Sequence, residues 1–392
     1  MAALEYWLWL SAIEASPRAK HALLDRYGDA EKAFFAPDGE FHHIPGISTA
    51  EAALLERRDM SRANQVMLDC QEQNLNIITL QDAAYPNRLR NIYAPPVVLY
   101  VKGRMPLVDE NALIAVIGTR KASYYGVKMG RELAWQIAKS GGIVISLLGS
   151  GVDAAAAKGA LLADNYCVGV LGTPHECDKS QLALDVGHYG ALVSEYPPGM
   201  QPQRSFFRER NRIAAGLSVG VLVVEAPERS GTRLFANEAN EQGKEIFAVP
   251  GNADAESSAG TLALLKEGAK LVTCGWDVLS EFEALYPDKL HPNDAPCPME
   301  EKAEPAPATE KKDVDKARDK GYIDLSEQLS GLTADQLKIV TAIDRKASHV
   351  DDIIEETGLP AAKVLAQLTI LEIKGFVRRE AGRRIALNVV KK

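Results

Sequence analysis

Residues 114–126 read IAVIGTRKASYYG, an apolar run that opens onto Gly118 and then Thr119, Arg120 and Lys121. A buried strand ending in glycine and small polar residues, with a helix starting near Ser123, directs backbone N–H groups and a guanidinium at an anion. That is phosphate-binding chemistry. The usual nucleotide frames are missing: the loop lacks G-x-G-x-x-G, and G-x-x-x-x-G-K-[ST] occurs nowhere in the chain. The glycine pair at 149–151 follows the next apolar run and is a weak signal by itself. An ordinary dinucleotide or nucleoside triphosphate is therefore not the expected ligand.

A second cluster lies in QRSFFRERNRIAAGLS, residues 203–218, where Arg204, Arg208, Arg210 and Arg212 bracket Phe206, Phe207 and Asn211. Arginines interleaved with aromatic rings suit a single strand of nucleic acid, because cations meet phosphates while rings stack on bases. For Arg210 and Arg212, pairing with Glu195, Glu209 or Glu225 is an equally good account. Arg204 and Arg208 are expected to face solvent or ligand. In ERSGTRLFANEA, Ser230, Gly231 and Thr232 open a helix and offer either a second anion cradle or plain N-capping. No catalytic set emerges. His175 and His188 lack the spacing of metal ligands or a triad, and Asp153, Asp178 and Asp185 come from separate loops. The five cysteines stand singly with no CxxC, so neither a disulfide framework nor a zinc site is expected and reduced thiols in a cytoplasm are; no metal or cofactor is expected elsewhere in the chain.

The elements that must position these residues follow from length and pattern. At 392 residues the chain exceeds one ordinary core. A net charge of -8 excludes a coat of positive charge but not a local basic groove, since phosphate affinity follows the local field. Residues 1–75 read as a helical domain containing the turn IPGIST at 44–49; such turns occur in helix-hairpin modules, but a tight turn between packed helices is the better account of it. Residues 76–110 carry two strand-like runs and connect into the next domain. From 111 to 287, short apolar runs such as ALIAVIG, CVGVLGT and SVGVLVVEA alternate with helical periods. That pattern predicts an α/β, doubly wound, mostly parallel sheet whose ligands sit beyond the carboxyl ends of its strands. Residues 288–325 are Pro-, Ala- and charge-rich, which predicts a flexible linker. Residues 326–392 have the helix, helix, helix, hairpin order of a winged helix, with Arg378, Arg379, Arg383 and Arg384 on the hairpin. The apolar start carries Glu5 and Glu14 and reads as a first helix; no apolar run nears about 18 residues, so no membrane span and a cytoplasmic location are expected.

Taken in order, YPNRLRNIYAPPVVLYVKG, VIGTRKASYYG, GALVSEYPPG, FRERNRIAAGLS, VVEAPERSGT, FAVPGN and the LTADQ…GFVRR tail resemble the DNA-processing protein A family, DprA/Smf, over essentially the whole chain. The resemblance implies an extended Rossmann-like domain, a helical (SAM or helix-hairpin-like) domain before it and a winged helix after it. It implies a protein without enzymatic turnover that binds and protects single-stranded DNA, forms a homodimer through the Rossmann-like domain, and helps load the RecA recombinase during natural transformation. On this resemblance Arg120 is the arginine placed on the DNA backbone, and Phe207 with its neighbouring arginines forms the pocket for a base. The expected groove runs through Arg120, Lys121, Lys179, Arg204, Arg208 and Arg210. Three departures stand out: Ser150 and Ala157 replace a basic residue and a histidine of the family pattern, Lys179 is the one basic residue left in the segment after VLGT, and Arg233-Leu234-Phe235 replaces apolar residues and threonine. Two alternatives are a nucleotide phosphoribohydrolase of the lysine-decarboxylase-like group, whose acid-base Glu position is occupied here by Phe235, and a winged-helix binder of duplex DNA.

Overall fold

The computed structural model describes residues 3–293, 297, 334–343, 348–373, 376–380 and 384–387. Most of the expected linker, Lys374, Arg383 and the side chain of Arg379 lie outside the described residues. The chain forms two compact units, residues 1–301 and 302–392.

In the first unit five helices come first: α1 Leu4–Ala12, α2 Pro17–Tyr27, α3 Ala30–Phe34, α4 Thr49–Glu56 and α5 Met60–Glu72. Their starts are written locally. Ser16 caps α2 with Pro17 at its first position, Asp29 caps α3, and Ser48 with Glu51 closes a capping box on α4. The IPGIST turn precedes that box, and Glu51 accepts hydrogen bonds from the N–H and hydroxyl of both Ser48 and Ser16. Burial alone would push the Glu51 carboxyl up; the four donors outweigh it and bring it down to about 2. The helix end at this turn thus already holds an anion of the chain's own.

Strands β1 Asn76–Thr79 and β2 Val98–Gly103 then enter the same sheet as the strands beyond them, with the short α6 Asn87–Arg90 between. The remaining strands and helices alternate: β3 Leu113–Ile117, α7 Tyr124–Lys139, β4 Ile143–Ser146, α8 Val152–Leu162, β5 Cys167–Val170, α9 Gln181–Tyr189, β6 Ala191–Ser194, α10 Phe206–Leu217, β7 Gly220–Val223, α11 Gly231–Glu241, β8 Glu245–Ala248, α12 Ala259–Lys266, β9 Lys270–Leu271 and α13 Gly275–Leu279. The nine strands lie in the order β1-β2-β6-β5-β4-β3-β7-β8-β9. All pairs from β6 through to β9 are parallel, and the β1–β2 ribbon joins β6 antiparallel.

Both faces of the sheet are covered, which is why its strands read as unbroken apolar runs. Along β3, Ile114 and Val116 pack under α7, α8, α9 and α13, whereas Leu113, Ala115 and Ile117 pack under α10, α11 and α12. Strand β2 plays the same part between two cores. Leu99 and Val101 face the sheet interior, and Val98 and Tyr100 face the α1–α5 core around Trp9, Phe41 and Leu55. The Tyr100 hydroxyl donates to Ser11 Oγ at 2.9 Å, and its carbonyl pairs with His175 Nε2 at 2.9 Å. The helical segment is therefore part of the same compact unit as the sheet.

The second unit holds α14 Ala334–Ala342, β10 Ser348–His349, α15 Val350–Thr357, α16 Ala361–Ile373, β11 Val377–Glu380 and β12 Arg384–Leu387. Its strands pair antiparallel in the order β10-β12-β11 around Ile339, Ile353, Val364, Leu368 and Ile385, the winged-helix arrangement read from the sequence. Arg378 and Arg384 lie exposed on the wing strands.

Tyr100 couples the two cores of the first unit, so Tyr100→Ala is expected to lower its stability by about 3–5 kcal/mol in urea unfolding. The helical and sheet parts should still unfold in one transition; separate transitions in the parent protein would contradict a shared unit.

Candidate nucleic-acid interface

Strands β3 and β7 are parallel neighbours whose chains leave toward opposite sides of the sheet, so their carboxyl ends form the topological switch point. The loop after β3 crosses it. Four of its backbone donors are already engaged: Gly118 N–H donates to Asp153 Oδ1 at 3.2 Å and Thr119 N–H to the Glu225 carbonyl at 2.8 Å. Lys121 N–H donates to Thr119 Oγ1 at 3.3 Å, and Ser123 N–H to Glu225 Oε2 at 2.8 Å. Ser123 Oγ caps α7 by accepting from Gly126 N–H at 3.1 Å. Glu225, from the end of β7, is 3% exposed and sits against Gly126, where any Cβ would run into its carboxylate. A negative group at the positive end of α7 is favourable by about 0.3–1 kcal/mol at the surface and more when buried. This corrects the backbone-cradle reading of Gly118, Thr119 and Ser123: the anion place at the start of α7 is taken by Glu225. What the loop offers outward is Arg120 and Lys121, both exposed.

Arg120 meets the second cluster. Its guanidinium carbon lies 6.0 Å from the centroid of the Phe207 ring, and that ring is 42% exposed. Phe207, in the first turn of α10, lies against Gly172, where an added Cβ would come within 3.0 Å of the ring. The loop after β4 braces Arg120 from behind. Val152 N–H donates to the Thr119 carbonyl at 3.3 Å, and Ser150 Oγ donates to the Arg120 carbonyl at 3.3 Å. Gly151, at φ +76°, lies so close to the Thr119 and Arg120 carbonyls that a side chain there would collide with both. Ser150, a departure from the family pattern, thus holds the backbone of Arg120; Ala157, the other, is fully buried.

The four arginines of the second cluster divide. Arg204 and Arg208 are exposed, as expected. Arg210 is buried, and its Nη1 donates to the carbonyls of Leu147 at 2.8 Å and Val170 at 2.9 Å, tying the ends of β4 and β5. Burial pulls its guanidinium down to about 10 despite the charge of Asp153. Arg212 pairs with Glu195 at 2.6 Å, their side chains 7% and 10% exposed. Both residues therefore leave the list of groove cations, because each is buried and its guanidinium is bound by groups of the interior. Asn211 is half-buried on the same helix. Phe206 is buried and stacks on Tyr196, centroids 3.9 Å apart at 12°.

The remaining expected residues sit on the same strand-end rim but apart from the pair. Lys179 is exposed in the segment between β5 and α9. Ser230 caps α11 by accepting from Arg233 N–H at 3.3 Å, with Gly231 exposed and Thr232 half-buried beside it. Arg233 itself pairs with Glu267 at 2.9 Å, and Phe235 is buried in the core. Among the described residues, no hydrogen bond or ring contact links Lys121, Lys179, Arg204, Arg208 or Ser230–Thr232 to the Arg120–Phe207 pair. His175 is buried and bound to the Tyr100 carbonyl; His188 lies on Tyr189, centroids 4.6 Å apart. No described helix is long and apolar enough to cross a membrane, and no group of three or more His, Cys, Asp and Glu able to hold a metal occurs among the described residues.

Residues 76–283 match the family described as DNA recombination-mediator protein A, and residues 325–383 match the DprA winged helix domain. The chain belongs to the DNA recombination-mediator protein A family. The Smf protein of Escherichia coli K12 is 31% identical over 325 residues, 81% of this chain and 79% of that protein. The DNA processing protein DprA of Bacillus subtilis 168 is 36% identical over 222 residues, 56% of this chain and 75% of that one. The X-ray structure of DNA processing protein A from Streptococcus pneumoniae superposes with a TM-score of 0.62 at 31% identity, covering 72% of this chain and 99% of that chain. The family match spans β1 to the end of α13, so the β1–β2 ribbon belongs to the recombination-mediator domain.

Two buried groups of the first unit generate predictions. Burial pushes the Asp153 carboxyl up to about 6, against the opposing charge of Arg210 and the Gly118 N–H. A folded pKa above the unfolded one means that the folded state holds the extra proton, so this group's contribution to stability falls as pH climbs from about 4 to about 6. Carbon-13 titration of the Asp153 carboxyl should give a midpoint near 6; one below 4.5 refutes the burial. Arg212→Ala strands Glu195 in the interior and is expected to destabilise by about 3–5 kcal/mol in urea unfolding, with under 1 kcal/mol counting against a desolvated pair.

Proposed function

We propose that this protein binds single-stranded DNA along the strand-end rim of its Rossmann-like sheet, without enzymatic turnover, in a DNA-processing role during natural transformation. The observation that carries the reading is the Arg120–Phe207 pair: an exposed guanidinium held over a half-exposed ring at the switch point. A phosphate can meet the cation while the adjacent base packs on the ring, and only an unpaired base can do so. Lys121, Lys179, Arg204 and Arg208 extend positive charge to either side of this point. With Glu225 filling the start of α7, the rim favours one phosphate of a polymer over an enclosed nucleotide. Family membership supports the further reading that a homodimer of the Rossmann-like domain, in the cytoplasm, protects incoming DNA and hands it to the RecA recombinase. The wing cations Arg378 and Arg384 are assigned an accessory or partner-binding role.

Gel-shift titration of the full chain tests this. Arg120→Glu is expected to lower affinity for a single-stranded oligonucleotide by about ten-fold or more, and parent affinity should fall steeply with salt. Equal binding of duplex and single strands, or a silent Arg120→Glu, would overturn the reading. Release of adenine from AMP would assign the site to a hydrolase instead. Acceleration of RecA assembly on single-stranded DNA tests the recombinase step separately.

A further inference from the structure

Beyond Arg120 the rim carries another aromatic side chain. Tyr124 opens α7 and is 87% exposed. Among the described residues its ring meets no aromatic partner and its hydroxyl no hydrogen-bond partner. A lone exposed ring requires no explanation. This one is not alone: the exposed aromatic side chains among the described residues are Phe35, Tyr93, Tyr124, Tyr125, Tyr189 and Phe207, and three of them stand on this one rim.

The ring is also held on a fixed element. The hydroxyl of Tyr125 donates to the Pro250 carbonyl, in the loop after β8, at 2.9 Å. Together with the Ser123 cap and the Glu225 carboxylate, that bond pins the first turn of α7. Tyr124, about 100° round the helix from Tyr125, is thereby kept in water on a rigid base. Lys121 precedes it and Lys128 follows one turn later on the same helical face, both exposed. Tyr124 lies four positions after Arg120, so their backbones lie within about 14 Å of each other. Lys128 also pairs with Glu132 at 3.8 Å; with Arg120 and Lys121 the balance of charge around the ring is still positive, which suits a polyanion over an apolar protein partner.

We propose that Tyr124 is a second base platform. A strand with one phosphate at Arg120 and one base on Phe207 lays a further base on Tyr124, with Lys121 and Lys128 beside it for the backbone. The proposal rests on the single-stranded DNA reading above and adds to it a direction of travel along the start of α7 and a second contact that duplex DNA cannot make. It accounts for an aromatic ring at this place, where capping, packing and hydrogen bonding call for none.

Affinities of the full chain for oligothymidylates of about three and about twelve nucleotides test it. Tyr124→Ala and Tyr124→Leu are expected to lose about five-fold or more for the long oligonucleotide and nothing for the short one, with Tyr124→Phe retaining parent affinity. In the Y124W protein, the added indole should be quenched by the long oligonucleotide. The native Trp7, Trp9 and Trp135 are buried and Trp276 is half-buried, so a difference against the parent isolates that signal. Parent-like binding by Tyr124→Ala, or no quenching, overturns the platform. If Arg120→Glu is impaired in the same assay, the single-strand reading survives that failure; if Arg120→Glu also binds normally, the reading itself falls.

Discussion

The rim depends on one buried carboxylate. Glu225 leaves the end of β7, accepts the Ser123 N–H at the start of α7 and, through its carbonyl, the Thr119 N–H. These two bonds cross from one half of the doubly wound sheet to the other and fix the loop between them. The carboxylate also places a negative charge at the positive end of a sixteen-residue helix, the feature that makes such loops attract phosphates in nucleotide-binding folds. With that demand met internally, the loop keeps its shape without a ligand, and Arg120 is turned outward. Glu51 does the same for α4 beneath the IPGIST turn. In both places a motif that resembles a phosphate cradle is closed by a carboxylate of the chain's own, from the end of β7 at α7 and from the helix's own first turn at α4.

Around this fixed loop, charge is sorted by depth. Arg210 and Arg212 are consumed by the interior, where guanidinium forks tie strand ends and neutralise Glu195. They make the platform under α10 rigid, and a rigid platform is what allows Phe207 to hold a half-exposed ring beside a cation. Arg120, Lys121, Arg204 and Arg208 stay in water, where they act on a polyanion through counterion release. The local field of these few side chains matters more than the net charge of -8 carried by the whole chain. Buried cations shape the site, and exposed ones present it.

Much of the architecture was legible because its physical cause is local. Apolar runs alternating with amphipathic helices demand a sheet covered on both faces, and all seven runs from 113 to 271 became strands of one sheet. Caps such as Ser123 and Ser230 marked helix starts within a residue. The union of the α1–α5 core with the sheet was not legible, since it rests on β2 showing Leu99 and Val101 to one core and Val98 and Tyr100 to another. A half-and-half strand looks like any other apolar run. Tyr124 escaped notice for a related reason: next to Tyr125 and a glycine it reads as the packed start of a helix, and its exposure is visible once Tyr125 alone is seen to be anchored.

By itself the sequence determined the doubly wound sheet, the winged helix, the loops at the strand ends and the residue types those loops carry, because periodicity, capping and turn chemistry act over a few residues. Tertiary structure decided which arginines face water, which carboxylate fills the start of α7, and which ring lies under Arg120. Those choices depend on pairs as far apart as Ser123 with Glu225 and Arg120 with Phe207. An arginine carries the same letters whether it binds a carbonyl in the core or a phosphate in solvent; only the packed fold sets its depth, and depth decides what its charge can reach.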